Sequence, residues 1–104
     1  MINNNSEKLD GLQKVVERAC AAKAMHIGES AIIEKFGDRL VWKGIVHVFK
    51  IEGNPKAEIC YAWSSPIKGS TKRRYYAVLK IPPIDSPEKA VRAAIVNDYK
   101  TSKP

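Results

Sequence analysis

The stretch that decides the fold is LVWKGIVHVFKIE, which occupies residues 40–52. It is rich in β-branched and aromatic side chains, which favour β-strands. Two shorter strand-like stretches follow, EICYAWS at residues 58–64 and RYYAVLKI at residues 74–81. The connections between them are short and rich in Gly, Pro, Asn and Ser, which are typical of turns. The sequence therefore predicts a three-stranded antiparallel meander that ends before Pro82 and Pro83.

A helix is predicted on each side of this meander. Apolar residues recur at helical spacing between Leu9 and Ala24, which predicts an N-terminal helix over residues 5–26 with Gly28 as its stop. A C-terminal helix follows Ser86, an N-cap residue with proline directly after it. Residues 29–37 fit a short helix or an edge strand, and we favour the short helix. The expected fold is a single small α+β domain over residues 1–104, with frayed ends at residues 1–4 and 101–104.

The register of the first hairpin assigns side chains to the two faces of the sheet. If Ile51 pairs with Ile59, the face that carries Phe49 is apolar enough to hold both helices. The opposite face is also more apolar than a face in water needs to be. We therefore expect it to be covered by residues 29–37, by a second subunit or by a ligand. A twofold homodimer is a common solution, and its predicted interface consists of Trp42, Val46, Val48 and Val78.

The positive charge is concentrated in one part of the chain. The protein has 18 basic and 11 acidic residues, and its net charge is +7. Between Ile59 and Ile84 there are five basic residues and no acidic one. A local excess of this kind indicates a polyanionic partner, although a loop that only keeps the protein soluble would look the same. The predicted nucleic-acid contacts are Lys68, Lys72, Arg73 and Arg74 to phosphates and Tyr76 to bases.

The predicted order of elements resembles that of double-stranded-RNA-binding domains, which is helix, three strands, helix. The residues that would support membership differ. At the start of the second helix, where that family has a basic cluster, this sequence reads Ser86-Pro87-Glu88-Lys89. The loop at residues 53–56 lacks the histidine that the family has there. The resemblance is limited to element order, and the sequence is not assigned to the family.

Several classes of function have no support in the sequence. It contains no phosphate-binding loop, nucleophilic-serine motif or zinc-protease motif, so we expect no enzymatic activity. His26 and His47 have no neighbouring ligand at metal spacing along the chain, so no metal or other cofactor is expected. Cys20 and Cys60 are predicted to be buried, reduced thiols, as in a cytoplasmic protein.

No signal of a membrane protein is present. No apolar run approaches the roughly 20 residues that span a bilayer, and the first residues lack the charge pattern of a signal peptide. The function predicted from the sequence is a small, basic, non-enzymatic binding module that forms a homodimer. The alternative is a nucleic-acid-binding protein that contacts phosphates through residues 68–74.

Overall fold

The computed structural model describes residues 4–102, with side chains at residue 9 and residues 11–98. The elements are α1 (Asn4–Cys20), β1 (Lys23–Phe36), β2 (Arg39–Glu52), β3 (Ile59–Pro66), β4 (Arg73–Leu79) and α2 (Pro87–Ser102). The four strands form one antiparallel sheet in the order β1-β2-β3-β4, which makes the domain α+β. Among the described residues, no helix is long and apolar enough to cross a membrane. Of the ends predicted to be frayed, residues 1–3 and 103–104 lie outside the described residues, and residues 4, 101 and 102 belong to the terminal helices.

The strand β1 is the main departure from the sequence prediction. The first helix stops at Cys20 because Ala21 has a positive φ of 50°, which an α-helix does not accommodate. The chain then enters β1, which includes Gly28, the predicted helix stop. The prediction of a short helix over residues 29–37 was therefore wrong, since this segment is the second half of β1 and the turn after it. The sheet has four strands and not three.

The meander of β2, β3 and β4 is confirmed, with ends within two residues of those predicted. Its first register differs from the prediction by one residue, because Lys50 and not Ile51 pairs with Ile59. Side chains alternate between the faces of a sheet, so this shift moves every side chain of β3 to the other face. As a result, Phe49 lies opposite Cys60, and Tyr61 and Trp63 lie on the other side of the sheet from Phe49.

The two helices pack on opposite faces of the sheet, and the prediction that both lie on one face was wrong. On what we call the α1 face, helix α1 packs Leu12 and Val16 against Phe49 and the neighbouring strand residues. On the α2 face, helix α2 packs Ala90 and Val91 against a second buried cluster. The strand residues of that second cluster include Ile32, Val46, Tyr61 and Trp63. The observed register divides the apolar residues between the faces, so each face needs its own covering layer.

Helix α2 is fixed at its start and to both edges of the sheet. The Lys89 amide donates to Ser86 Oγ at 3.3 Å, which confirms Ser86 as the N-cap. Arg92 Nε donates to Glu34 Oε1 of β1 at 2.7 Å. At the opposite edge, Arg74 Nη2 of β4 lies 2.9 Å from Asp98 Oδ1 of α2. Helix α2 therefore bridges the two edge strands across the second face.

Candidate functional site

The β1–β2 and β3–β4 hairpins bring exposed basic residues to one end of the sheet, which we call the hairpin end. In an antiparallel meander, the β1–β2 turn and the β3–β4 loop lie at the same end. The loop carries the predicted Lys68 and Lys72, both exposed. The first hairpin adds three exposed basic residues that were not predicted, Lys35, Arg39 and Lys43. Two acids lie nearby: Asp38 is exposed in the first turn, and Glu34 is only 13% exposed and is paired with Arg92. The hairpin end is therefore strongly positive.

The predicted Arg73 and Arg74 lie on different faces because they are consecutive residues of β4. Arg73 belongs to the α1 face, where its Nε donates to Ser64 Oγ at 2.9 Å and its Nη2 to the Ser64 carbonyl at 3.2 Å. Arg74 belongs to the α2 face, where it pairs with Asp98 and lies 5.3 Å from the centre of the Tyr76 ring. The predicted site is thus divided between the two faces.

Among the residues that the structure describes, helix α1 leaves the part of its face near the hairpin end uncovered, and we call this part the open face. It consists of Ile33, Lys43, Ile45, Arg73 and Tyr75, all exposed. Cross-strand pairing sets Ile33 beside Lys43 and places Tyr75 beside Ser64. Ile33 is 58% exposed and Tyr75 is 45% exposed, which is high for side chains on a sheet. The open face therefore combines cations, a tyrosine ring and aliphatic groups on a surface of regular strands.

The predicted stacking residue Tyr76 lies in an aromatic cluster on the α2 face. Its ring stacks on Trp63 with centroids 5.1 Å apart and planes 10° apart. Its hydroxyl donates to Asp98 Oδ2 at 2.7 Å. Burial raises the pKa of Tyr76, and the hydrogen bond to Asp98 raises it further. Trp42 completes the cluster, with Nε1 donating to Ser65 Oγ at 3.1 Å. Tyr76 is therefore held within the fold, and Tyr75 is the tyrosine that faces outward.

A cavity of about 290 Å³ opens beside this cluster, between β4 and α2. The polar side chains in its lining include Arg74, Tyr76 and Asp98, which bond to one another. A smaller space of about 30 Å³ lies between Trp42, Trp63 and α2. These contacts between polar side chains of β4 and α2 fix α2 to the edge of the sheet.

The four residues of the predicted dimer interface lie under α2. Val46 is fully buried, and Trp42, Val48 and Val78 are partly buried against the same cluster. The apolar character of this face, which motivated the prediction, is therefore accounted for by α2. A dimer through these four side chains would require α2 to leave the sheet.

The structure brings together three potential metal ligands that the sequence analysis did not connect. His26 of β1 and His47 of β2 lie side by side on the α1 face, with Nε2 of His26 3.0 Å from Nδ1 of His47. Glu29 Oε1 lies 3.9 Å from the same His47 nitrogen. Burial lowers the pKa of His47 and the neighbouring His26 lowers it further, whereas Glu29 acts in the opposite direction. Neither histidine had a visible partner in the sequence because β1 was not predicted, and only pairing between β1 and β2 places them together.

Comparison with known proteins finds no matching family model, no matching curated protein and no matching solved structure.

Proposed function

We propose that this protein is a non-enzymatic binding module that holds single-stranded nucleic acid on the open face at the hairpin end. The observation that carries the proposal is the exposed tyrosine and aliphatic surface bordered by basic side chains from two hairpins. Single strands bind to surfaces that combine a positive track for the backbone with aromatic rings for the bases. The open face has both components.

The charge around this face suits phosphates. Among the described side chains, Lys43, Lys68 and Lys72 form no ion pair within 4.0 Å. Exposed, unpaired ammonium groups can neutralise phosphates without first losing a protein partner, and the release of counterions favours binding. Arg73 keeps one guanidinium nitrogen clear of its two bonds to Ser64. Its planar group is thereby held in a fixed orientation on the open face.

The exposed ring of Tyr75 favours a single strand over a duplex. It lies on the same face as Arg73, two residues further along β4, which corresponds to a spacing of about 6.6 Å. A base stacked on Tyr75 would therefore have its phosphate within reach of Arg73. Bases are free to stack in this way only when they are unpaired.

Fluorescence anisotropy with labelled RNA and DNA, single-stranded and duplex, tests the proposal. We expect single strands to bind more tightly than duplexes and to lose affinity between about 50 and 200 mM salt. The variant with Lys68→Ala, Lys72→Ala and Arg73→Ala should reduce the salt slope by about 2, because each phosphate contact on a single strand contributes about 0.7. The matched control is Lys23→Ala, Lys50→Ala and Lys56→Ala, which removes the same charge from exposed residues at the other end.

Two substitutions of Tyr75 separate stacking from charge. Tyr75→Ala should weaken single-strand binding by about 1–3 kcal/mol, whereas Tyr75→Phe keeps the ring and should leave binding nearly unchanged. No binding at low salt would refute the proposal. Equal losses in the two triple variants would show that only the overall charge matters.

Self-association through the open face is the second candidate, and it retains the predicted homodimer at a different surface. Ile33 and Ile45 are exposed there, and Phe36 is 82% exposed in the adjoining hairpin. Contiguous exposed apolar groups of this kind are typical of interfaces. Light scattering at micromolar concentration distinguishes a monomer from a dimer. If a dimer forms here, Ile45→Lys should dissociate it, and single-stranded nucleic acid should compete with it.

A further inference from the structure

We propose that His26, Glu29 and His47 form a binding site for one divalent transition-metal ion, of the class to which Zn²⁺ belongs. The inference is independent of nucleic-acid binding. Together these residues offer two imidazole nitrogens and one carboxylate oxygen, and the potential ligand atoms all lie within 4.8 Å of one another.

An irregularity in β1 creates the convergence. His26 pairs with Phe49 and Gly28 pairs with Val48, so the pairing register shifts between His26 and Gly28. In a regular strand, residues three apart point to opposite faces. The extra residue of the bulge, Ile27, puts both His26 and Glu29 on the α1 face beside His47. Bulges commonly redirect side chains in this way next to functional sites.

The distances are close to those of a shared metal ion. Two nitrogens that bind one Zn²⁺ at about 2.0–2.1 Å lie about 3.4 Å apart when the angle between them is tetrahedral. The 3.0 Å between the two imidazole nitrogens is about 0.4 Å shorter than this separation, and to bind one ion the two rings turn so that both nitrogens point at it. Glu29 Oε1 is 3.9 Å from His47 Nδ1, and its side chain is 57% exposed, which leaves it free to close the remaining gap.

The surroundings hold the imidazoles in position and leave the site accessible. The Phe49 ring meets His26 edge-on, with centroids 5.4 Å apart and planes at 72°. His26 and His47 are partly buried, and Glu29 is exposed. Three protein ligands with solvent on one side leave a coordination position for water, as in the open class of zinc sites.

The chemistry of the ligands favours Zn²⁺ over the hard cations. Imidazole suits zinc, copper, nickel and iron, whereas Mg²⁺ and Ca²⁺ prefer oxygen alone. Binding requires both facing nitrogens to be unprotonated. When both imidazoles are neutral, one ring donates the hydrogen bond between them. On metal binding that ring moves the proton to its other nitrogen, so the net charge of the two rings does not change.

Isothermal titration of the tag-free protein with ZnCl₂ tests the site, with MgCl₂ as the hard-cation comparison. We expect one Zn²⁺ per chain and no binding of Mg²⁺. His47→Gln and His26→Gln should each weaken Zn²⁺ binding by at least about 10–100-fold. Removing a residue that only hydrogen-bonds to a metal ligand already costs about that much, and these substitutions remove a ligand itself. The matched control is Glu52→Gln, an exposed acid at the far end of β2, which should leave Zn²⁺ binding unchanged.

A second measurement separates this site from the buried thiols and needs no variant. Cobalt(II) bound by nitrogen and oxygen shows no thiolate-to-metal charge-transfer band, whereas cobalt(II) bound by Cys20 and Cys60 would show one. In the wild-type protein, Zn²⁺ should shift the imidazole NMR signals of both histidines at one equivalent. The proposal is overturned by a thiolate band, by unshifted imidazole signals, or by full binding in a folded His47→Gln variant.

Discussion

The sulfur atoms of Cys20 and Cys60 lie 3.8 Å apart, although 40 residues separate them in the sequence. Cys20 is the last residue of α1 and Cys60 lies in the middle of the sheet, so this contact fixes the end of α1 to the α1 face. Both thiols are free and buried, and the prediction that they are buried is confirmed. Burial raises the pKa of the Cys60 thiol, and the neighbouring Cys20 raises it further. Cys60 is therefore kept in its protonated, poorly nucleophilic form.

We expect native thiol labelling to be slow for this reason. The thiolate is the reactive species, and neither sulfur atom is open to a reagent in the folded protein. Labelling with an aromatic disulfide reagent should be much slower than the reaction of free glutathione and should accelerate once denaturant unfolds the chain. Rapid labelling of either cysteine in the folded protein would contradict the prediction and would suggest a reactive role.

Gly44 and Gly28 should respond differently to substitution by alanine. A Cβ at Gly44 would lie 2.7 Å from Cζ2 of Trp42, so the indole ring has to move and its bond to Ser65 weakens. We expect Gly44→Ala to destabilise the protein by about 1–3 kcal/mol, as other overpacked substitutions do. A Cβ at Gly28 meets nothing within 4 Å.

The matched substitution Gly28→Ala should therefore be neutral or stabilising by up to about 1 kcal/mol, because alanine restricts the unfolded chain. Urea unfolding followed by circular dichroism and by tryptophan fluorescence measures both variants. Equal changes in the free energy of unfolding for the two variants would mean that the Trp42 ring is not the reason for glycine at residue 44.

Much of the fold could be predicted from the sequence because strong local signals mark it. The β-branched run before Glu52 defines β2, and Ser86 with the following proline defines the start of α2. The end of α1 has no comparable signal. The chain turns at Ala21, a residue with no special preference for positive φ, inside an alanine-rich run that favours a helix. Because the end of α1 was not recognised, the first part of β1 was predicted as helix and the strand was missed.

The candidate sites depend on strand register and on contacts between distant segments, which local sequence signals do not determine. A shift of one residue in the pairing of Lys50 reverses the faces of β3, so Trp63 lies on the α2 face and not on the face of Phe49. The basic loop was visible in the sequence, and consecutive residues of a strand always point to opposite faces, but the register decides which face Arg73 joins and which face Arg74 joins. The contact between His26 and His47 requires β1, and the bulge in β1 brings Glu29 to the same face. Long-range contacts of this kind have no marker in either segment alone.

Val91 and Val96 provide a comparison of buried and exposed positions in α2. Val91 is 1% exposed and belongs to the core beneath the helix, whereas Val96 is 52% exposed. Val91→Ala should lower the free energy of unfolding by about 2 kcal/mol, through lost burial and an unfilled cavity. Val96→Ala should change it by less than about 0.5 kcal/mol. Thermal and urea unfolding test both, and similar losses would show that α2 does not pack as described.

Tyr76 should contribute to stability through its hydroxyl group. Tyr76→Phe removes the hydrogen bond to Asp98 while keeping the ring stacked on Trp63, so we expect a loss of about 1 kcal/mol. The pKa of Tyr76 is raised above its ordinary value of 10. Below that pH the tyrosine is protonated in both the folded and the unfolded chain, and its contribution is fully present. As the pH rises above 10, the unfolded chain loses the proton first, so the wild-type protein loses this contribution.

The matched control is Tyr75→Phe, because Tyr75 lies next in the chain but on the open face, where its ring is exposed. Its free energy of unfolding should match that of the wild-type protein at neutral pH. Urea unfolding at neutral pH and above pH 10 measures the three proteins together. The difference between wild type and Tyr76→Phe should narrow at the higher pH, because the variant lacks the Tyr76 hydroxyl whose raised pKa causes the loss, whereas the raised pKa of Tyr61 is common to both proteins. An equal loss in Tyr75→Phe, or a difference that widens at high pH, would contradict the role given to the Asp98 bond.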